Sequence, residues 1–172
     1  MARTRGKLKK YEIHDDFLDA DAFDELQSVF INNVSFPWYY YAGIVNADQD
    51  EKDKHQFVHT LYAENVGVTS DFFRHMNPLL QKINVKNLIR IKANLSLRTD
   101  NHIEGGWHTD FDFECKTAIF YLNTNNGYTL FEDDTKVESV ANRFVTFDST
   151  IAHSGVSHTD TKVRCLININ YL

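Results

Sequence analysis

The chain is poor in the residues that staple, interrupt or anchor proteins. Among 172 residues there are two cysteines, Cys115 and Cys165, too far apart for a zinc knuckle and too few for a disulfide framework; two free, buried thiols in a reducing compartment are expected. Two prolines and seven scattered glycines leave no Pro/Gly-rich linker, so one continuous domain over 1–172 is the expected organisation. No apolar run approaches the ~18 residues that cross a bilayer, and no apolar stretch follows the charged start. A cytoplasmic protein without a membrane partner is the reading. Acid is missing from the first ten residues, which carry Arg3, Arg5, Lys7, Lys9 and Lys10. Removing these five from the 18 basic side chains leaves 13 against 24 acidic ones in the body. A basic 1–10 tail without interleaved aromatics reads as a solvated, flexible terminus, with a nucleic-acid partner disfavoured.

What is present is core material, with 42% apolar and 13% aromatic residues, and two textures of pattern. Over 11–87 the periodicity is helical. Asp19 or Asp21 can cap a helix with Ala22, Phe23, Leu26, Val29 and Phe30 on one stripe. Ser70 can cap a second with Phe72, Phe73, Met76, Leu79, Leu80 and Ile83 inward, interrupted at Pro78. Between them lie an extended aromatic run, Phe36 to Tyr41, and a polar loop from Asn46 to His55 that is a candidate lid. From 88 to 172 the pattern alternates: Ile89, Ile91, Ala93, Leu95 and Leu97 share one face, and Arg90, Lys92, Asn94, Ser96 and Arg98 the other. Further strands are predicted at Thr117–Asn123, Tyr128–Glu132, Thr135–Val140, Arg143–Phe147 and Lys162–Tyr171. The expected fold is mainly β, a sandwich or jelly roll with two N-terminal support helices on one outer face.

The chemistry-bearing motif is His108-Thr109-Asp110, because alternate residues at a strand end present two metal ligands on one side. The triplet alone is weak, since chance supplies roughly one in a chain of this composition, and His14-Asp15-Asp16 and His158-Thr159-Asp160 share its form. Only the first has a later histidine placed to return beside it, His153, just before the last long strand. Two imidazoles and one carboxylate leave Fe(II) three open positions, room for a bidentate co-substrate and O₂. A dicarboxylate such as 2-oxoglutarate then needs a fixed cation for its far end. Arg164 suits, flanked by an apolar strand and sharing a face with Leu166, Asn168 and Asn170; buried unpaired, it would be costly. The Tyr121 hydroxyl can donate to the same carboxylate.

These residues give the segment from Leu88 to Leu172 a resemblance to the 2-oxoglutarate- and Fe(II)-dependent oxygenases, closest to their prolyl-4-hydroxylase-like branch and to small phage-encoded members. The resemblance implies a double-stranded β-helix, iron held by His108, Asp110 and His153, and co-substrate held by Arg164 and Tyr121. Asn94 would lie near the co-substrate on the earlier strand, and Gly127-Tyr128-Thr129-Leu130-Phe131 resembles the family's Gly-x-x-x-Phe strand turn. It further implies hydroxylation of a C–H bond with release of succinate and CO₂, peptidyl proline being the foremost substrate class among peptide, protein or small-molecule partners.

Blander readings stand beside these. Arg164 can pair structurally with Asp148 or Glu132. Trp107 is a packing residue or a weak substrate contact; Arg98 faces substrate or water, and Arg90 and Lys92 water or an anionic substrate, Lys92 leaning to water. His55, His59 and His75 read as surface or helix-face residues, and His102 and His158 as exposed loop histidines. An AlkB-like nucleic-acid dealkylase, a non-enzymatic jelly-roll binding module and a zinc hydrolase are the rival functions, though the last leaves Arg164 and Tyr121 without a task.

Overall fold

The computed structural model describes residues 11–43 and 54–172, so the basic segment 1–10 and the candidate lid up to residue 53 lie outside the described residues. In chain order the elements are β1 (Tyr11–His14), α1 (Ala20–Gln27), β2 (Tyr39–Tyr41), β3 (Gln56–Ala63), β4 (Gly67–Val68), α2 (Asn77–Ile83), β5 (Leu88–Leu97), β6 (Lys116–Tyr121), β7 (Tyr128–Phe131), β8 (Lys136–Glu138), β9 (Phe144–Asp148), β10 (His153–Val156) and β11 (Val163–Tyr171). A large sheet runs β1-β9-β6-β11-β5-β3-β2, with β4 on β3, and a small sheet runs β10-β7-β8. All pairings are antiparallel. This is a jelly roll, and the two sheets form its walls.

The two-residue period of β11 decides what each wall holds. Cys165, Ile167 and Ile169 join Ile91 and Ala93 of β5 and Ala118 and Phe120 of β6 in the main core. Leu26 and Phe30 from the first helix and Met76 and Leu79 from the second close that core from outside, as the helical stripes predict. The opposite residues of β11, Arg164, Leu166, Asn168 and Asn170, point between the sheets. There Leu166, Ile119 and Tyr121 meet Phe131 and Val137 of the small sheet in a second cluster. Both cysteines are free and buried.

The helix boundaries follow capping chemistry. Asp19 accepts the Ala22 N–H at 3.0 Å at the start of α1, which continues as a π-helical turn through Asn32. Ser70 caps a 3₁₀ turn over Asp71–Met76, and Pro78 sits in the first turn of α2. Pro78 therefore marks a change of helix type, because a residue without an N–H is tolerated where no intrahelical partner exists.

The first half is less helical than its sequence suggests. It supplies β1 at one edge of the large sheet and β2, β3 and β4 at the other. The longest of these, β3, hides its period behind an irregularity between Thr60 and Tyr62, which throws the alternation out of phase midway. His59 on β3 is buried, not at the surface. The Pro37 carbonyl accepts a hydrogen bond from its Nδ1 at 2.6 Å, and its Nε2 lies 2.8 Å from Ser70 Oγ. His158 is also fully buried rather than an exposed loop residue.

Candidate metal centre and co-substrate cavity

His108 and His153 are 45 positions apart and meet through their own backbone. The His108 N–H donates to the His153 carbonyl at 3.1 Å, and the His153 N–H returns the bond at 3.0 Å. This reciprocal bridge brings the ring centroids to 4.5 Å. Each ring is oriented by a carbonyl two residues earlier: His108 Nδ1 lies 3.2 Å from the Gly106 oxygen and His153 Nδ1 3.1 Å from the Ile151 oxygen. A carbonyl only accepts, so each Nδ1 carries a proton, and in the neutral ring Nε2 is the nitrogen left to ligate. Burial, then the neighbouring His108, pushes the His153 pKa down against Asp110, which favours the neutral form that binds metals.

Asp110 follows on the same loop, and four side chains fix its carboxylate. Arg90 donates to Oδ1 at 3.0 Å, while Thr117, Asn170 and Asn168 donate to Oδ2 at 2.8, 2.9 and 3.3 Å. Burial alone would raise the Asp110 pKa; Arg90, Asn170, His153 and Thr117 outweigh it and hold the group at about 2. The donor atoms of His108, Asp110 and His153 all lie within 4.8 Å of one another. His14-x-Asp16 and His158-x-Asp160 form no such group among the described residues.

The triad opens onto a cavity of about 240 Å³, lined also by Lys92, Asn94, Arg98, Thr129, Arg164 and Asn168. That lies below the ~300 Å³ at which pockets for drug-sized ligands begin, a scale suited to a small diacid. Arg164 is 8% exposed. Its Nε donates to Ser139 Oγ at 2.8 Å and its guanidinium lies 5.6 Å from the Tyr121 ring centroid. Its Nη2 has no hydrogen-bond partner among the described residues, and no carboxylate there pairs with it; Asp148 binds Lys116 instead. Burial pushes the Arg164 pKa down from its usual value. Gly127 makes room for this side chain, since a Cβ there would sit 2.9 Å from Arg164 Cδ.

No protein-family model matches the chain, and no curated protein sequence does. Solved structures do match. The viral collagen prolyl hydroxylase of Paramecium bursaria Chlorella virus-1, in its 2-oxoglutarate complex, is 15% identical, with a TM-score of 0.64 over 95% of this chain and 97% of that one. A prolyl hydroxylase from Trichoplax adhaerens, bound to a peptide of the hypoxia inducible factor oxygen degradation domain, is 14% identical, with a TM-score of 0.67 over 95% and 83%. The fold is that of the 2-oxoglutarate- and Fe(II)-dependent oxygenases. The epimerase SnoN of nogalamycin biosynthesis, in complex with Fe³⁺, α-ketoglutarate and nogalamycin RO, shares it at 13% identity, with a TM-score of 0.64 over 95% and 78%. One oxygenase fold thus serves prolyl hydroxylases and an epimerase, and the fold does not select a substrate.

Within this oxygenase fold the other sequence candidates fall in different places. Asn94 lines the cavity with a buried, unpartnered Oδ1. Tyr121 is fully buried behind Thr129, their hydroxyls 2.7 Å apart, and Thr129 rather than Tyr121 reaches the cavity wall. Arg98 lines the cavity; Trp107, 46% exposed, does not. Lys92 also lines the cavity instead of meeting bulk water. Burial, reinforced by Arg90 and opposed by Asp110, lowers its pKa to about 8. His55, read as a surface residue, contributes to the lining as well. The sequence reading missed the holders of Asp110. Arg90 faces Asn170 across β5 and β11, and Thr117 faces Asn170 across β6 and β11; only the register shows that these polar residues converge.

No helix among the described residues is long and apolar enough to cross a membrane.

Proposed function

We propose that the chain is an Fe(II)- and 2-oxoglutarate-dependent oxygenase that hydroxylates a C–H bond, with peptidyl proline as its substrate class. The observation that carries the reading is a two-histidine, one-carboxylate cluster within 4.8 Å in the same small cavity as a buried guanidinium with an unpartnered Nη2. The residues fit both groups. Two imidazoles with free lone pairs and one ionised carboxylate form the facial set that suits Fe(II) and leaves positions open. Arg164 supplies a buried cation that only an anionic ligand compensates.

When bound, Fe(II) with 2-oxoglutarate and O₂ supplies the oxidising chemistry that converts C–H to C–OH, releasing succinate and CO₂. This chain's residues hold and orient. The Gly106 and Ile151 carbonyls fix the two imidazole tautomers, a role such outer contacts commonly play for metal ligands. Arg90, Thr117, Asn168 and Asn170 keep Asp110 ionised and immobile. Arg164, set by Ser139 and the Tyr121 ring, receives the distal carboxylate of the co-substrate, and Thr129 and Asn94 line its path. The apolar wall of Ile119, Val156 and Leu166 keeps water from the reacting bond. No side chain is required as a general acid or base. Peptidyl proline is supported by the prolyl hydroxylases among the structural neighbours.

The test is succinate release from 2-oxoglutarate with Fe(II) and a panel of proline peptides, free amino acids and methylated DNA. His108→Ala and Asp110→Ala should abolish it in folded protein. Undiminished turnover in either variant would remove that residue from the metal centre, and stimulation by methylated DNA alone would favour a nucleic-acid dealkylase.

A further inference from the structure

Lys92 is a cation without an assigned partner. It is part-buried, lines the cavity, and no carboxylate among the described residues pairs with it. The nearest acid of the cavity, Asp110, is already engaged by Arg90. A part-buried ammonium lacking a counter-ion is costly unless a ligand supplies one.

Its position narrows what that ligand is. Across β5 and β11 the inward-facing pairs are Ser96 with Arg164, Asn94 with Leu166, Lys92 with Asn168, and Arg90 with Asn170. At ~3.3 Å per residue the Lys92 pair lies ~13 Å along the strands from the Arg164 pair. Lys92 thus stands at the end where Arg90, Asn168 and Asn170 hold Asp110, opposite Arg164. A co-substrate diacid spanning from Arg164 to the metal would have both carboxylates engaged, one by the guanidinium and one at the metal centre. The Lys92 ammonium is a further cation beside the centre, and the other reactant is the source of a counter-ion not already engaged. Two buried acceptor oxygens, Asn94 Oδ1 and Asn168 Oδ1, are unpartnered on the same inner face. Neither takes a hydrogen bond from Lys92, whose ammonium is left for a ligand.

Resting on the oxygenase reading above, we propose that Lys92 is a specificity-determining residue, and that it selects a substrate bearing a carboxylate near the C–H bond to be hydroxylated. A single ammonium suits a monoanion, and two sources offer that chemistry: the α-carboxylate of a free amino acid, or an acidic side chain beside proline in a peptide.

The experiment uses matched acid and amide pairs. L-proline against L-prolinamide tests the α-carboxylate, and proline peptides with flanking Glu against Gln test the side chain. Wild-type protein is first titrated with 2-oxoglutarate in the presence of Mn(II); failure to bind would overturn the oxygenase reading itself. Succinate release with Fe(II) then gives kcat/KM for each pair. The expected preference for the acid member is roughly 10- to 100-fold, the scale of one charge-assisted contact. Lys92→Met should bring the ratio to about one, and Lys92→Arg should retain it. Because the ratio is taken within one preparation, partial misfolding of a variant does not move it. An acid-to-amide ratio near one in wild type, a ratio preserved in Lys92→Met, or a panel in which no acid member stimulates succinate release from protein that binds 2-oxoglutarate would each overturn the proposal. So would a raised 2-oxoglutarate requirement in Lys92→Met with the ratio intact, which would return Lys92 to the co-substrate.

Discussion

Arg164→Met separates a binding role from a structural one, because the two move ligand affinity and stability differently. In the ligand-free protein the guanidinium is buried, without a carboxylate among the described residues, and replacing it by an apolar side chain of similar length removes a desolvation cost of the order of the ~1–4 kcal/mol gained when buried ion pairs are replaced by apolar residues. Against that stand the hydrogen bond to Ser139, worth ~1 kcal/mol, and the contact with the Tyr121 ring, worth ~0.5–2 kcal/mol. The balance lies near zero. The ligand-free variant should therefore unfold in urea within about 2 kcal/mol of wild type, and its Tm should shift by only a few degrees. Co-substrate binding should instead lose an ion-pair contact of ~2–5 kcal/mol, a ~30- to 4,000-fold rise in Kd. Thermal melts with and without Mn(II) and 2-oxoglutarate read both quantities in one series. A ligand-free variant destabilised by more than about 3 kcal/mol that still shows a wild-type rise in Tm with 2-oxoglutarate would refute the reasoning and make Arg164 a packing residue.

Other perturbations follow from the same geometry. Gly127→Ala places a Cβ 2.9 Å from Arg164 Cδ, 2.9 Å from Asn125 Oδ1 and 3.0 Å from the Val156 carbonyl; it should cost ~1–3 kcal/mol and weaken 2-oxoglutarate binding, measurable by urea unfolding and calorimetry. The Asp110 pKa, lowered to about 2 from 3.8, contributes stability above pH ~4 that is lost as pH falls towards 2. That contribution is ~2 kcal/mol in the metal-free protein, and Asp110→Asn should flatten this part of the acid-unfolding curve. Asn142→Ala deprives the Leu18 N–H and carbonyl of partners now 2.9 Å away at a left-handed position, φ 62°; a loss of ~2–4 kcal/mol is expected in chemical denaturation. Because the two histidines are joined by backbone hydrogen bonds and oriented by carbonyls, chelation should remove metal without unfolding the protein. A chelator-induced loss of far-ultraviolet circular dichroism would show the opposite.

The second half of the fold was legible because its two longest strands, β5 and β11, carry a two-residue period in residue type. β5 presents Arg90, Lys92, Asn94 and Ser96 to one side and Ile89, Ile91, Ala93 and Leu95 to the other, and β11 repeats the pattern with Leu166 as an apolar residue among Arg164, Asn168 and Asn170, so the faces assigned to Arg164 and Lys92 follow. The spacing from His108 to His153 likewise pointed to a return of the chain, although β10, only four residues long and containing Ser154 and Gly155, carries little strand signal. In the first half, β3 is obscured by its irregular register, β1 is a four-residue edge strand whose partner β9 lies far along the chain, and β2 is an edge strand of three residues, too short to show a period. The burial of His59 and His158 was invisible for the same reason, since a histidine's burial depends on what folds over it. The clamp on Asp110 required knowledge of register: Arg90, Thr117 and Asn170 are ordinary polar residues until the strands align.

The alternation of β11 ties this protein's chemistry to a single alignment. Sliding the strand by one position past β5 and β6 would drive the Arg164 guanidinium among the helices and swing the Cys165 thiol into the cavity between the sheets. A one-residue insertion or deletion inside this strand therefore has no mild version: it would cost cohesion and reactivity together. Variation in length is expected to collect instead in the turns that precede and follow it.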